Sequence, residues 1–152
     1  MNIEKKLKQS RPFISDYLRL AVSLQLNGAI VEGSANKALK PYNISVQQFN
    51  LLRILKGKYP EGYSVKELTG RMVDKNSNAS RLVEKLNDKG LIMKSVCPTD
   101  RRELQVCITD SGLTLVKLCS SPLETTIINN FSQFYTEDEA QQLLQLLDRI
   151  SG

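Results

Sequence analysis

Apolar residues recur along this chain at helical spacing first, at strand spacing later, and at helical spacing again. Over residues 13–39, Ile14, Leu18, Ala21, Val22, Leu26, Ala29 and Ile30 form one helical stripe, which Tyr17, Leu20 and Leu24 widen. The spacing predicts a long helix ended by Pro41. So broad a stripe exceeds one neighbour: it fits a buried core helix or a helix shared with a second subunit. Gly28 and Gly33 inside it cost about 1 kcal/mol each relative to Ala, which points to a bend or to close packing.

Asn43 suits a left-handed turn, and Ser45-x-x-Gln48 is a capping-box signature ahead of Phe49, Leu51, Leu52 and Leu55, so a second helix runs to about Lys56. Residues 59–62 (Tyr-Pro-Glu-Gly) make a turn, and Ser64-Val65-Lys66-Glu67 repeats the capping logic for a short third helix with Leu68 and Met72. Asp74 is the expected N-cap of a fourth segment carrying Ala79, Leu82, Val83 and Leu86, with Gly90 as its stop. The period then changes. Residues 91–97 and 103–109 are rich in β-branched and apolar types, and Leu104, Val106 and Ile108 alternate with Glu103, Gln105 and Cys107, which reads as a half-buried hairpin. Thr109 or Asp110 caps a further helix through Leu113, Val116 and Leu118, which Pro122 is expected to kink or interrupt before Ile127, Phe131 and Phe134. Thr136-Glu137-Asp138-Glu139 opens a last helix with Ala140, Leu143, Leu144, Leu147 and Ile150 on one face. The fold class is therefore mostly α with a small β-hairpin, one folded unit from about Arg11 onward.

Composition agrees with one domain: 152 residues at 41% hydrophobic content support one core. The net charge of +5 is unevenly placed, with ten Lys/Arg against four Asp/Glu over residues 1–63, nine against five over 64–102, and two against seven over 103–152. A basic front suggests a polyanionic partner, and the acidic tail a different task. No apolar run is long enough for a membrane span and the first residues lack an apolar signal core, so a cytoplasmic protein with no membrane partner is expected. The chain has no His, and Cys97, Cys107 and Cys119 lie outside any Cys-x-x-Cys spacing, which argues against zinc and against His-based hydrolysis. With no phosphate-cradling Gly loop and no evident acid pair, neither an enzyme nor a cofactor is expected.

With 79, 82, 83 and 86 turned to the core, the fourth segment leaves Asn76, Ser77, Asn78, Arg81 and Lys85 on its other side, and Ser80 near the boundary. Asn pairs with the adenine edge, Ser with several bases and Arg with guanine, so this face could read a major groove; taken alone it is equally an ordinary solvated face. The hairpin adds Asp100-Arg101-Arg102, two guanidiniums at a turn where packing needs neither. Permanently charged Arg suits a narrow A·T-rich minor groove. Asp100 either orients one Arg or starts the turn. Double-stranded DNA is the expected partner.

In this order the chain resembles the winged-helix regulators of the MarR family. The residues that carry the likeness are Ile44-Ser45-x-x-Gln48-Phe49-x-x-Leu52-x-x-Leu55, Glu67-Leu68, Ser80-Arg81-Leu82-Val83-x-x-Leu86-x-x-Lys89-Gly90-Leu91-Ile92, Pro98-x-Asp100-Arg101-Arg102, Ile108-Thr109-x-x-Gly112 and Thr136-Glu137-x-Glu139-x-x-x-Leu143-Leu144-x-Leu146-Leu147. The resemblance implies a winged helix-turn-helix lobe over residues 42–109 and a helical dimerisation region over 11–41 and 110–152, within one chain of residues 1–152. It implies a homodimer on a pseudo-palindromic operator, base and backbone contacts at Asn76, Ser77, Asn78, Ser80 and Arg81, and minor-groove contact at Arg102, with Arg101 as understudy. Lys66, Lys75, Lys85 and Lys94 are phosphate ligands on general grounds. A small aromatic or phenolic effector is also implied, between stalk and lobe, with Tyr17, Leu20, Leu24 and Phe49 as wall residues or simply core. The expected function is thus a transcriptional regulator, as a repressor; the alternative is a winged-helix protein-interaction module without sequence-specific DNA binding.

The chain departs from the family where residues 72–76 (Met-Val-Asp-Lys-Asn) make a more polar turn, and where Pro122 falls in what is often a continuous helix. The first helix has no Cys, so the peroxide-sensing Cys of some relatives has no counterpart there. Cys97 and Cys107 flank the wing at positions readable as cross-strand neighbours, with two reduced thiols the expectation in a cytosolic protein. Cys119 is expected to pack as a small hydrophobe.

Overall fold

A computed structural model describes residues 3–72, 78–96 and 104–151. The order is α1 (Ile3–Lys6), α2 (Asp16–Leu39), a 3-10 turn (Lys40–Tyr42), α3 (Val46–Lys56), β1 (Tyr63–Ser64), α4 (Val65–Arg71), α5 (Ala79–Asp88), β2 (Ile92–Val96), β3 (Leu104–Ile108), α6 (Asp110–Ser132) and α7 (Glu137–Ser151). Side-chain caps set most of the boundaries. Ser45 accepts from the Gln48 backbone N–H at 3.2 Å while Gln48 Oε1 accepts from Ser45 N–H at 3.1 Å, and Thr136 with Glu139 closes the same reciprocal pair ahead of α7. Of the two expected caps for α6, Thr109 is the one used, accepting from Gly112 N–H at 3.2 Å. At the other end of α5, Gly90 takes φ +68°, with Gly90 N–H donating to Asn87 O and Leu91 N–H to Leu86 O, the paired bonds of a Schellman stop.

The Ser64–Glu67 box is the tightest of these caps. Ser64 N–H and Oγ both donate to the Glu67 carboxylate, at 2.8 and 3.0 Å, and hold its pKa below the ordinary carboxylate value, the backbone bond contributing most. That stabilisation is present above the ordinary Glu range and fades as pH falls through the lowered pKa. Ser64→Ala is expected to cost about 1 kcal/mol, read by urea denaturation, and to move the Glu67 NMR titration upward.

Four expectations change. The long helix begins at Asp16, capped by Ser15, so Phe13 and Ile14 lie outside it. Pro122 does not interrupt α6: Pro122 and Leu118 are both exposed, so water can reach the carbonyl that loses its donor. The sheet has three strands in the order β1-β3-β2, because Tyr63 and Ser64 pair with Val106 and Gln105. Leu104 points to no core; it is 55% exposed opposite an exposed Val96.

The core sits almost wholly in the lobe. Phe49, Leu51, Leu52 and Leu55 of α3 meet Leu68, Val83, Leu86, Ile92, Val106 and Ile108, closed by Leu39 of α2 and by Val116 and Cys119 of α6. Cys119 does pack as a small hydrophobe, and burial pushes its thiol pKa up. Away from the lobe α2 packs along α6, yet Tyr17, Leu18, Leu20, Leu24 and Ile30 on α2, Ile128 and Phe131 on α6, and Leu143, Leu144, Leu146 and Ile150 on α7 remain exposed. The wide stripe is therefore not a buried core helix within one chain. Gly28 and Gly33 meet no atom within 4 Å of where a Cβ would stand, so neither serves close packing inside the protomer.

Candidate nucleic-acid interface

α5 is amphipathic along its whole length. Ala79, Val83 and Leu86 are buried, which fixes the helix on the lobe and turns Ser80, Arg81, Glu84, Lys85, Asp88 and Lys89 outward. Its cap is Asn78, not Asp74: Asn78 Oδ1 accepts from the Arg81 backbone N–H at 3.0 Å. Part of the expected base-reading capacity of Asn78 is thus spent on the backbone, leaving its amide N–H2 group and the Ser80 and Arg81 side chains at the exposed N-terminal end. That end carries positive helix dipole, which favours an approaching phosphate.

Asp74, Lys75, Asn76, Ser77, Cys97, Asp100, Arg101 and Arg102 lie outside the described residues. The hairpin that would carry the last three is described up to Val96 and from Leu104, with a continuous ladder of Ile92↔Ile108, Lys94↔Val106 and Val96↔Leu104. In that register Cys107 faces Met93, so the cross-strand neighbour expected in Cys97 is a methionine instead. Cys107 Sγ also lies 3.7 Å from Ser95 Oγ, and a Cβ on Gly62 would come within 2.6 Å of it, so this thiol is wedged between strands.

The other expected residues are dispersed. Lys66 is exposed on α4, free of any ion pair among the described residues. Lys94 is committed to a salt bridge with Glu84, so it neutralises an acid beside the reading face rather than standing ready for phosphate. Tyr17 (86% exposed) and Leu20 stand on the open face of α2 with Leu24, while Phe49, 1% exposed, is inside the lobe core and walls no cleft with them. Sequence reasoning missed a basic cluster beside the sheet: Lys58 Nζ and Arg71 Cζ lie 4.4 and 4.6 Å from the centroid of the Tyr63 ring, a cation–π arrangement on both. No local signal reveals it, because the three residues lie in different segments and meet only through β1.

Three helices packed under a small antiparallel sheet, with the third helix turned outward next to the hairpin, define a winged helix-turn-helix. The MarR family model matches residues 44–104, which are this lobe. The chain belongs to the MarR family of DNA-binding transcriptional regulators. Over 154 residues it is 22% identical to the HTH-type transcriptional regulator PecS of Dickeya dadantii, a match covering 98% of this chain and 90% of that one. A mutant of MarR from E. coli complexed with operator DNA superposes with a TM-score of 0.82 at 19% identity, covering 92% of this chain and 99% of the other. CouR from Rhodococcus jostii RHA1 bound to p-coumaroyl-CoA gives 0.69 at 23% identity, over 93% and 95%. Among the described residues no helix is long and apolar enough to cross a membrane, and no group of three His, Cys, Asp or Glu side chains is placed to hold a metal ion.

Proposed function

We propose that this chain is a cytoplasmic transcriptional repressor that grips a pseudo-palindromic operator as a homodimer and is released by a small effector. The observation that carries the reading is the orientation of α5, whose buried side is locked in the lobe core while Asn78, Ser80, Arg81 and Lys85 face solvent next to the wing. Ser80 and Arg81 are the base-reading residues of the described part, with Asn76 and Ser77 before them, Arg102 in the minor groove and Lys66 and Lys75 on phosphate. Two such helices, about 34 Å apart, would enter successive major grooves.

The dimer reading is supported by the apolar side chains left open on α2, α6 and α7, all outside the lobe. The acidic tail beyond residue 103 suits a stalk held away from phosphate. Effector release would follow from differential affinity for two lobe separations, since a ligand shifts an equilibrium only by that difference. Tyr17, Leu20 and Leu24 remain available as effector walls once a second copy covers them. That effector is an aromatic or phenolic molecule by family resemblance.

Arg81→Ala and Arg102→Ala are each expected to weaken binding to a selected duplex by about 1–3 kcal/mol, roughly tenfold or more, with the dimer intact by light scattering. Wild-type affinity should fall with salt at a logarithmic slope of about −0.9 per neutralised phosphate. A protein-interaction module would instead keep its partner when both arginines are removed and show no such slope. The operator itself is found by selecting bound fragments from the source genome.

A further inference from the structure

A cleft of about 780 Å³ opens between the C-terminal end of α2, the 3-10 turn, the start of α3 and the outer flank of α5. Lys37 and Lys40 line one side, Lys85 and Lys89 the other, and Asp88 is the one acid among the lining residues. Ile44 and Leu82 give it an apolar floor. Its walls are tied together: Val46 N–H donates to Asn36 Oδ1 at 2.9 Å, Gln47 Nε2 donates to Glu32, and Lys89 Nζ donates to the Asn43 carbonyl. Among the described residues no carboxylate pairs with Lys37, Lys40 or Lys85.

One polar side chain in this wall is deeply buried. Gln48 is 6% exposed; its Oε1 is taken by Ser45 N–H, while its amide nitrogen donates to no group among the described residues. A buried amide donor without an acceptor is costly, and an acceptor entering the cleft would satisfy it. The four ammonium groups come from three separate elements, so their convergence is not the solvated face of one helix. Their closeness without counter-charge raises the local potential, which favours a ligand of more than one negative charge.

We infer that this cleft binds a small polyvalent anion, an organic molecule with two or more phosphate or carboxylate groups and an apolar body. Lys37, Lys40 and Lys85 bind its charge, the Gln48 amide donates to one oxygen, and Ile44 with Leu82 takes the apolar part. Lys89, held by Asn43, sets the width of the opening. The site is separate from the open face of α2 that carries Tyr17, Leu20 and Leu24. The binding claim stands without the repressor reading; only its consequence rests on that reading, namely that a ligand holding Lys85 competes with DNA phosphate for the same ammonium.

The test is titration of the full chain with pyrophosphate and, in a second arm, citrate, followed by 1H–15N NMR at constant ionic strength. Saturable shifts at the Gln48 side-chain amide, Gly33 and Asn36 are expected, and the arm with the higher affinity tells phosphate from carboxylate ligands. Lys40→Gln and Lys85→Gln should each weaken binding about tenfold, the loss of one charge-assisted hydrogen bond. Lys117→Gln, exposed on α6 away from the cleft, should leave it unchanged. All three side chains are exposed, so the fold should survive each change, checked by thermal melting. The inference is overturned if both anions give only the unsaturable shifts of sodium chloride, if the variants bind as wild type, or if duplex DNA alone perturbs Gln48, which would make the cleft part of the DNA surface.

Discussion

Leu146→Glu combined with Ile150→Glu is expected to convert the dimer to monomer and to abolish operator binding at concentrations where the wild type is saturated. Both side chains are exposed on α7 within one protomer, so neither change removes a contact in the lobe core. In a two-fold dimer the pair counts twice. Burying each Leu or Ile contributes about 1.5–3 kcal/mol, so four lost side chains weaken association by roughly 6–12 kcal/mol before the cost of burying carboxylates. Sedimentation velocity reads the mass and a duplex-shift assay the DNA affinity. Unchanged mass would remove α7 from the interface, and a monomer with full affinity would remove the two-armed reader altogether.

Gly112→Ala is expected to lower stability by about 3 kcal/mol or more, although the residue lies in a helix. In an open helical position the substitution would stabilise by about 1 kcal/mol, because alanine is the better helix former. Here a Cβ would stand 2.2 Å from the Leu91 carbonyl oxygen and 2.7 Å from Ile108 Cγ1. The Leu91 oxygen cannot retreat easily: it accepts from Thr109 N–H at 3.1 Å, and Leu91 itself closes the Schellman stop of α5. Overpacking against backbone therefore outweighs propensity. Gly28→Ala on α2, with nothing within 4 Å of the new carbon, should in contrast be neutral or stabilising. Guanidinium denaturation of the two variants side by side checks the contrast. Equal midpoints would show that the α5–sheet–α6 junction yields more readily than its geometry suggests.

That junction shows what was legible along the chain and what was not. The capping boxes at Ser45, Ser64 and Thr136 could be read directly, because each is a contact between residues three apart and needs no tertiary partner. The Gly90 stop could be read for the same reason. The start of α5 was misplaced because both Asp74 and Asn78 are good caps, and only the burial of Ala79 and the bond from Arg81 N–H select the second. The break expected at Pro122 failed because it assumed a carbonyl cut off from water, and that stretch of α6 is open to solvent. β1 was missed because two residues carry no periodicity; Tyr63 and Ser64 are a strand only through pairing with β3, forty residues on. For the site, the outward positions of Ser80, Arg81 and Lys85 followed from helical spacing, whereas Lys94 found Glu84 and Phe49 went into the core through contacts that no local pattern records.

By itself the sequence determined the order of elements, the face of each helix that is apolar, and the family to which the chain belongs, since these depend on spacing and on neighbours within one turn. Only the tertiary structure decided where the apolar faces go. It gathered one core around α3, left the stripes of α2, α6 and α7 open, and brought Lys37, Lys40, Lys85 and Lys89 to one cleft beside Gln48. The reason is range: capping and amphipathicity act over three or four residues, while burial and charge convergence depend on segments fifty residues apart meeting in space.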